Sequence, residues 1–138
     1  MIGESPERVG GLARVTGGQT YLADLPMDGA LHVKLVTLDV ARARVRAIDT
    51  SAAMAVPGVR MVMTAADLPH PVHRFGPQFR DRPVLAEGET HFHGEPIAAV
   101  AAETLDAAEE AATRVGVDYE ELPAVFTVDG ALAPDAPL

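Results

Sequence analysis

The sequence predicts a single α+β domain, and three observations carry that prediction. Runs with strand character at 31–38, 42–48, 59–63, 83–86, 97–102 and 117–120 are interleaved with only two stretches of helical character. The main helix falls near residues 104–115, where the chain is alanine-rich, and a short helix falls near 50–56. With 138 residues, 48% of them hydrophobic, the chain is large enough for one real core and too apolar for disorder. The succession strand, helix, strand over 97–120 is compatible with a right-handed crossover onto a mixed sheet.

Residues 1–20 are rich in glycine and polar groups and read as an extended segment of loop and turn. Leu31 to Leu38 alternates in part and predicts a strand half-buried on both faces. Arg42 to Ile48 places Arg42, Arg44 and Arg46 on one strand face and Ala43, Val45 and Ala47 on the other. Three guanidinium groups in a row suit either an anion or partner strip, or a solvated face with acidic cross-strand partners. Asp49, Thr50 and Ser51 offer caps for the short helix, and Pro57-Gly58 closes it. Val59 to Met63 reads as a strand, with a turn beginning at Thr64 or Asp67, and Met54, Met61 and Met63 read as core filler.

Pro69 to Pro83 has no periodicity and contains four prolines, so it cannot be a regular central strand. It collects His70, His73, Arg74, Phe75, Phe79, Arg80 and Arg82 in a locally basic stretch. Aromatic and arginine side chains are the types enriched at interface hot spots. Arg74, Phe75, Phe79, Arg80 and Arg82 are therefore the interface candidates of a docking arm. The competing reading is a mobile excursion.

Thr90 to Pro123 organises the rest. Gly94 and Pro96 break one extended run and start the next, and Ile97 to Ala102 reads as a strand buried on both faces. Thr104 is a candidate N-cap with Asp106 in the first turn, and Leu105, Ala108, Ala112 and Val115 form one helical stripe. Gly116 can end the helix before a strand at Val117–Glu120. The segment from Val125 to Ala131 reads as a further strand or turn, and 132–138 as a linker.

Few residues invite chemistry. His91 and His93 share a strand face with Glu89, but no second cluster completes a metal site, so no metal ligands are assigned. Glu109-Glu110 on the helix and Glu120-Glu121 at a strand end read as solvated surface, and the first is a poor acid–base pair because adjacent helical positions do not face one another. Neither Ser5 nor Ser51 lies in a nucleophile elbow, and Gly10-Gly11 and Gly17-Gly18 form no phosphate loop. No catalytic or cofactor-binding residue is assigned. A net charge of −9 argues against nucleic acid as a partner. The chain has no cysteine, which excludes a disulfide framework, a thiolate-held iron–sulfur cluster and a thiol nucleophile. No run is long enough for a membrane span and no signal segment opens the chain, so the expected location is the cytoplasm.

Several spaced motifs share one likeness. Gly94-Glu95-Pro96-Ile97-Ala98-Ala99-Val100, the alanine-rich helix and Val117-Asp118-Tyr119-Glu120-Glu121-Leu122-Pro123 resemble the α/β hammerhead domain at the N-terminus of the molybdenum hydroxylase large subunit. That family includes xanthine dehydrogenases, aldehyde oxidases and aldehyde oxidoreductases, and aerobic carbon monoxide dehydrogenases. Arg8, Thr16-Gly17, Tyr21, Asp24, Arg42-Ala43-Arg44-Val45, Asp49-Thr50-Ser51, Pro57-Gly58-Val59 and Thr64-Ala65-Ala66-Asp67-Leu68-Pro69 match in the family's order. Three positions depart: Gly10 stands where the family often has Asp, Arg42 where it has His, and Glu95 where it more often has Gln. The resemblance implies a single hammerhead domain over 1–138, with 132–138 leading toward a molybdenum-binding domain. It implies that molybdopterin and the catalytic glutamate belong to later domains, and that iron–sulfur centres and FAD belong to other domains or subunits. On that reading this chain packs and docks without turnover, in an enzyme that hydroxylates an aldehyde or N-heterocycle. The alternative is a free-standing binding or regulatory module with the same fold. A biotinyl or lipoyl carrier is disfavoured, because Lys34, the only lysine, lies in a strand.

Overall fold

A computed structural model describes residues 2–69 and 74–137. The chain forms two compact units, Met1–Ala30 and Leu31–Leu138. In the first, the segment expected to be loop and turn contains a short helix, α1 (Gly11–Val15). Leu12, Ala13 and Arg14 are good helix formers, and a single turn between glycines is too short to register as a periodic pattern. A 3-10 turn follows at Leu22–Asp24, where the Tyr21 amide donates to Asp24 Oδ2 at 2.8 Å.

Among its described residues the second unit contains six strands in two three-stranded sheets, and every pairing is antiparallel. The first sheet has the order β1 (His32–Thr37), β5 (Pro96–Ala102), β3 (Val59–Thr64). The second has the order β4 (Glu89–Thr90), β2 (Ala43–Asp49), β6 (Gly116–Glu121). The α+β class holds. The single mixed sheet does not: α3 (Leu105–Thr113) leads from β5 in one sheet to β6 in the other. The side chains account for the split. β5 is apolar throughout and suits the central place of a sheet, whereas β6 carries Asp118 and Glu120 and suits the arginine-bearing β2.

In β5, Ile97, Ala98, Val100 and Ala102 are fully buried. The Thr104 hydroxyl caps α3 by accepting from the Ala107 amide at 3.2 Å. Of the predicted stripe, Ala108 is fully buried and Ala112 and Val115 pack against the core, but Leu105 remains 49% exposed, and Ala107 and Ala111 are buried in addition. Alanine has no side chain beyond Cβ, so the alanine face allows the closest approach of helix to sheet. Val36, Leu38, Val56 and α2 (Ser51–Met54), through Ala53, complete this core. Met54 and Met61 are about half exposed and are not the core filler they were expected to be.

One further segment differs from expectation, and another takes the turn that the sequence allowed. Pro83–Ala86 is not a strand, although Leu85 and Ala86 are buried and the Ala86 amide donates to Pro96 O at 2.8 Å. Residues 128–131 form a helical turn, α4 (Val128–Ala131), because the Thr127 hydroxyl caps it by accepting from the Gly130 amide at 3.1 Å. A bulge between Val45 and Ala47 also breaks the predicted alternation of β2. Beyond it Ile48, not Ala47, packs against the core, and Ala47 is exposed.

Candidate functional site

Three surface regions hold the residues that the sequence singles out. The first is the arm. His70 and His73 lie outside the described residues; Arg74 to Pro83 forms a narrow loop. Phe75 and Arg82 exchange backbone hydrogen bonds of 2.9 and 3.2 Å, an isolated antiparallel bridge. Gly76 is required inside it, since a Cβ there would lie 1.8 Å from Phe79 O. Arg74 donates from its guanidinium to Asp81 O at 2.7 Å and stands 3.8 Å from Glu87. Phe75 and Phe79 are 55% and 75% exposed, and Arg80 and Arg82 are exposed with them. The loop therefore brings the five interface candidates onto one short segment with both rings open to solvent.

The second region is the arginine strip of β2. Arg44 donates to Glu89 Oε1 through Nε and Nη2 at 3.1 and 3.0 Å, and Arg42 reaches Glu89 Oε2 at 3.3 Å. Arg46 donates to Glu120 Oε2 at 2.8 Å, and Arg44 lies 3.6 Å from the same carboxylate. Hydrogen bonding from Arg44, reinforced by the charges of Arg44 and Arg42, holds the Glu89 carboxyl below its ordinary range. These are the acidic cross-strand partners that one of the two sequence readings required. The Arg side chains are occupied by protein carboxylates rather than left open to an external anion.

The third region is the turn after β4. The Thr90 hydroxyl, fully buried, accepts from the Ala43 amide at 3.0 Å. Gly94, at a φ of 83°, then folds the chain back so that Glu95, only 6% exposed, accepts from the His91 amide at 2.6 Å. His91 Nδ1 lies 3.5 Å from the Glu95 carboxylate, and His93 Nε2 lies 2.9 Å from Asp39 Oδ1. The two imidazoles thus take different carboxylates, while Glu89 faces the arginines. They do not converge, and among the described residues no three His, Asp or Glu side chains do. Beside them opens a cleft of about 460 Å³, lined by Arg42, His91, Phe92, His93, Val125 and Phe126. Sequence reasoning placed the histidines but missed the cleft, because Val125 and Phe126 reach it from a distant part of the chain.

The other carboxylate pairs are occupied on the surface. Glu109 meets Lys34 at 2.8 Å, and Glu110 meets Arg114 at 2.5 Å one turn along α3. No described helix is long and apolar enough to cross a membrane.

Residues 16–123 match the family profile described as aldehyde oxidase and xanthine dehydrogenase, a/b hammerhead domain. The chain is 38% identical to the carbon monoxide dehydrogenase large chain of Hydrogenophaga pseudoflava, covering 90% of this chain and 16% of that protein. It is 37% identical to the xanthine dehydrogenase of Drosophila pseudoobscura pseudoobscura, over 95% of this chain and 10% of that one. Among solved structures, quinoline 2-oxidoreductase from Pseudomonas putida 86 superposes with a TM-score of 0.82 at 38% identity, over 91% of this chain and 17% of the other. The aldehyde oxidoreductase from Desulfovibrio desulfuricans gives 0.84 at 32%, over 99% and 16%. The chain thus spans between a tenth and a fifth of the length of these relatives. The two antiparallel sheets, the capped alanine helix and the profile match over 16–123 make this chain a member of the aldehyde oxidase and xanthine dehydrogenase a/b hammerhead domain family.

Proposed function

We propose that this chain is a non-catalytic packing and docking domain of a molybdopterin-dependent hydroxylase large subunit, in an enzyme that hydroxylates an aldehyde or N-heterocycle in the cytoplasm. Its partners are the molybdenum-binding remainder of the large subunit and the iron–sulfur and flavin domains or subunits. The observation that carries this reading is how the surface is used. The groups that could do chemistry are spent on one another, Arg42, Arg44 and Arg46 on Glu89 and Glu120, and His91 and His93 on Glu95 and Asp39. Large apolar side chains meanwhile stand open, among them Phe75, Phe79 and Phe126. Arg74, Phe75, Phe79, Arg80 and Arg82 form part of the contact with the remainder of the subunit.

The donor set here does not suit the enzyme's prosthetic groups. The chain lacks the cysteines an iron–sulfur cluster needs. Among the described residues, no buried side-chain polar atom lacks a partner that a pterin or flavin could satisfy. No chemical step is therefore assigned to these residues. The test compares the native assembly carrying this sequence with the 138-residue chain alone, by elemental analysis and oxidation assays. Molybdenum and hydroxylation are expected in the assembly and in neither case with the chain alone. Stoichiometric molybdenum on the isolated chain after gel filtration would overturn the non-catalytic role. An assembly without molybdenum would overturn the enzyme context.

A further inference from the structure

Helix α3 packs on one face of the first sheet, and large apolar side chains on the other face are exposed. Its register aligns two cross-strand rows on the face away from α3, Val33–Ala101–Met61 and Leu35–Ala99–Met63. On the α3 side, Lys34 and Val62 flank buried Val100, and Lys34 reaches Glu109 on the helix. The outward rows carry no charge and no hydrogen-bonding side chain. Val33, Leu35 and Met61 are 60%, 51% and 49% exposed, and Leu31, just before β1, is 43% exposed. Ordinary soluble sheets put polar residues on such a face. Resting on the reading that the chain is part of a larger hydroxylase subunit, we propose that this face is a docking surface covered by an apolar surface of the remainder of that subunit.

Area and charge choose the occupant. The open side chains leave on the order of 350 Å² of apolar surface, the size of the largest patch on a typical monomer, which is often functional. That is well short of the ~800 Å² per partner that a free-standing interface needs. A second copy of the chain would also bring a further charge of −9 against this one. A cover belonging to the same subunit meets neither obstacle, because a high effective concentration offsets a small contact area. The solved relatives have room for such a cover, since this fold fills only 16–17% of those chains.

The chain is free of cysteine, so Leu35→Cys and Met61→Cys give unique labelling sites within it. Both side chains are about half exposed, so the variants are expected to melt as the parent does. Maleimide labelling is read by peptide mass spectrometry in the isolated chain and in the native assembly. Expected is rapid labelling of the isolated chain at every protein concentration, slowed on the order of 100-fold at both positions in the assembly. Equal rates in chain and assembly would overturn the docking face while leaving the enzyme context intact. Protection in the isolated chain that grows with concentration would identify a second copy as the cover and overturn the proposal. Failure of the enzyme context itself shows separately, as an assembly without molybdenum.

Discussion

On the outward side of the second sheet, Arg44 and Arg46 interleave with Glu89 and Glu120, a face finished for water. On the outward side of the first sheet, Val33, Leu35, Met61 and Met63 stand in its place, with no charge among them. The two sheets have the same strand number and the same antiparallel pairing, so backbone geometry does not separate them. The difference lies in what each face can do alone. Exposed ion pairs contribute little to stability, but they keep a face soluble and define its register. An apolar face contributes nothing until something covers it, and then contributes in proportion to the area removed from water. The stability of the isolated chain should therefore rest on the interior side of the first sheet, and its capacity to associate on the exterior side.

The largest expected effect breaks that interior. Val100 is fully buried at the centre of β5, between Lys34 and Val62 in the register. Val100→Asp removes a packed side chain and leaves a carboxylate in the core. The cost is on the order of 4–5 kcal/mol, close to the whole stability of a small domain. Far-ultraviolet circular dichroism is expected to show no cooperative melt. A melt within a degree or two of the parent would mean that β5 is not central.

A smaller effect belongs to the interior of the second sheet. The Thr90 hydroxyl satisfies the amide of Ala43, and both residues are buried. Thr90→Val keeps the shape and orphans that amide, at a cost of about 1–3 kcal/mol. A fall in Tm of several degrees is expected, and an unchanged Tm would show that the amide has another partner.

The charged face sharpens the comparison through pH. Glu89 has its carboxyl held below its ordinary value of 4.5, first by hydrogen bonding from Arg44. A depressed carboxylate contributes stability that is present above the unfolded pKa and lost as pH falls through the folded one. The parent should therefore hold a steady Tm down to about pH 5 and lose it progressively below. Glu89→Gln should flatten part of that loss without abolishing it. Asp49, held low by the Ser51 hydroxyl and amide, and Asp67, held low by the Thr64 amide and hydroxyl, titrate in the same window. Identical Tm-against-pH curves for parent and variant would remove Glu89 from the account.

What could be read beforehand follows the range of the interactions involved. The buried β5 and the Thr104 cap of α3 are local features, and the sequence displays them directly. The bulge in β2 is not local. Arg42, Arg44 and Arg46 alternate as if the strand were regular, but the register with β6 decides that Ile48 and not Ala47 turns inward. Leu31, Val33 and Leu35 announce that they share a face, as do Met61 and Met63. Periodicity cannot say whether any other element covers that face, so half-buried strands and core methionines were expected where the structure leaves them open. The cleft beside His91 was hidden for the same reason, since Phe126 is brought there by the fold alone.

The smallest expected effect on stability is at the arm. Phe75 and Phe79 are mostly exposed, and the loop between them is shaped by backbone groups, through the Phe75–Arg82 bridge and the close approach of Gly76 to Phe79 O. Replacing both rings, Phe75→Ser with Phe79→Ser, removes neither the bridge nor the glycine. Exposed substitutions away from such features fall within about ±0.5 kcal/mol, so the Tm of the isolated chain should move by no more than a few degrees. The same double variant should lose association with the remainder of the large subunit, because aromatic anchors beside arginines carry a disproportionate share of interface energy. Co-purification reads the second half and hydrogen exchange the first, with low protection expected over 74–83 in the free chain. Strong protection there in a monomeric sample, together with a large fall in Tm for the double variant, would make the arm part of the core. The apolar face of the first sheet would then be the one docking surface left to test.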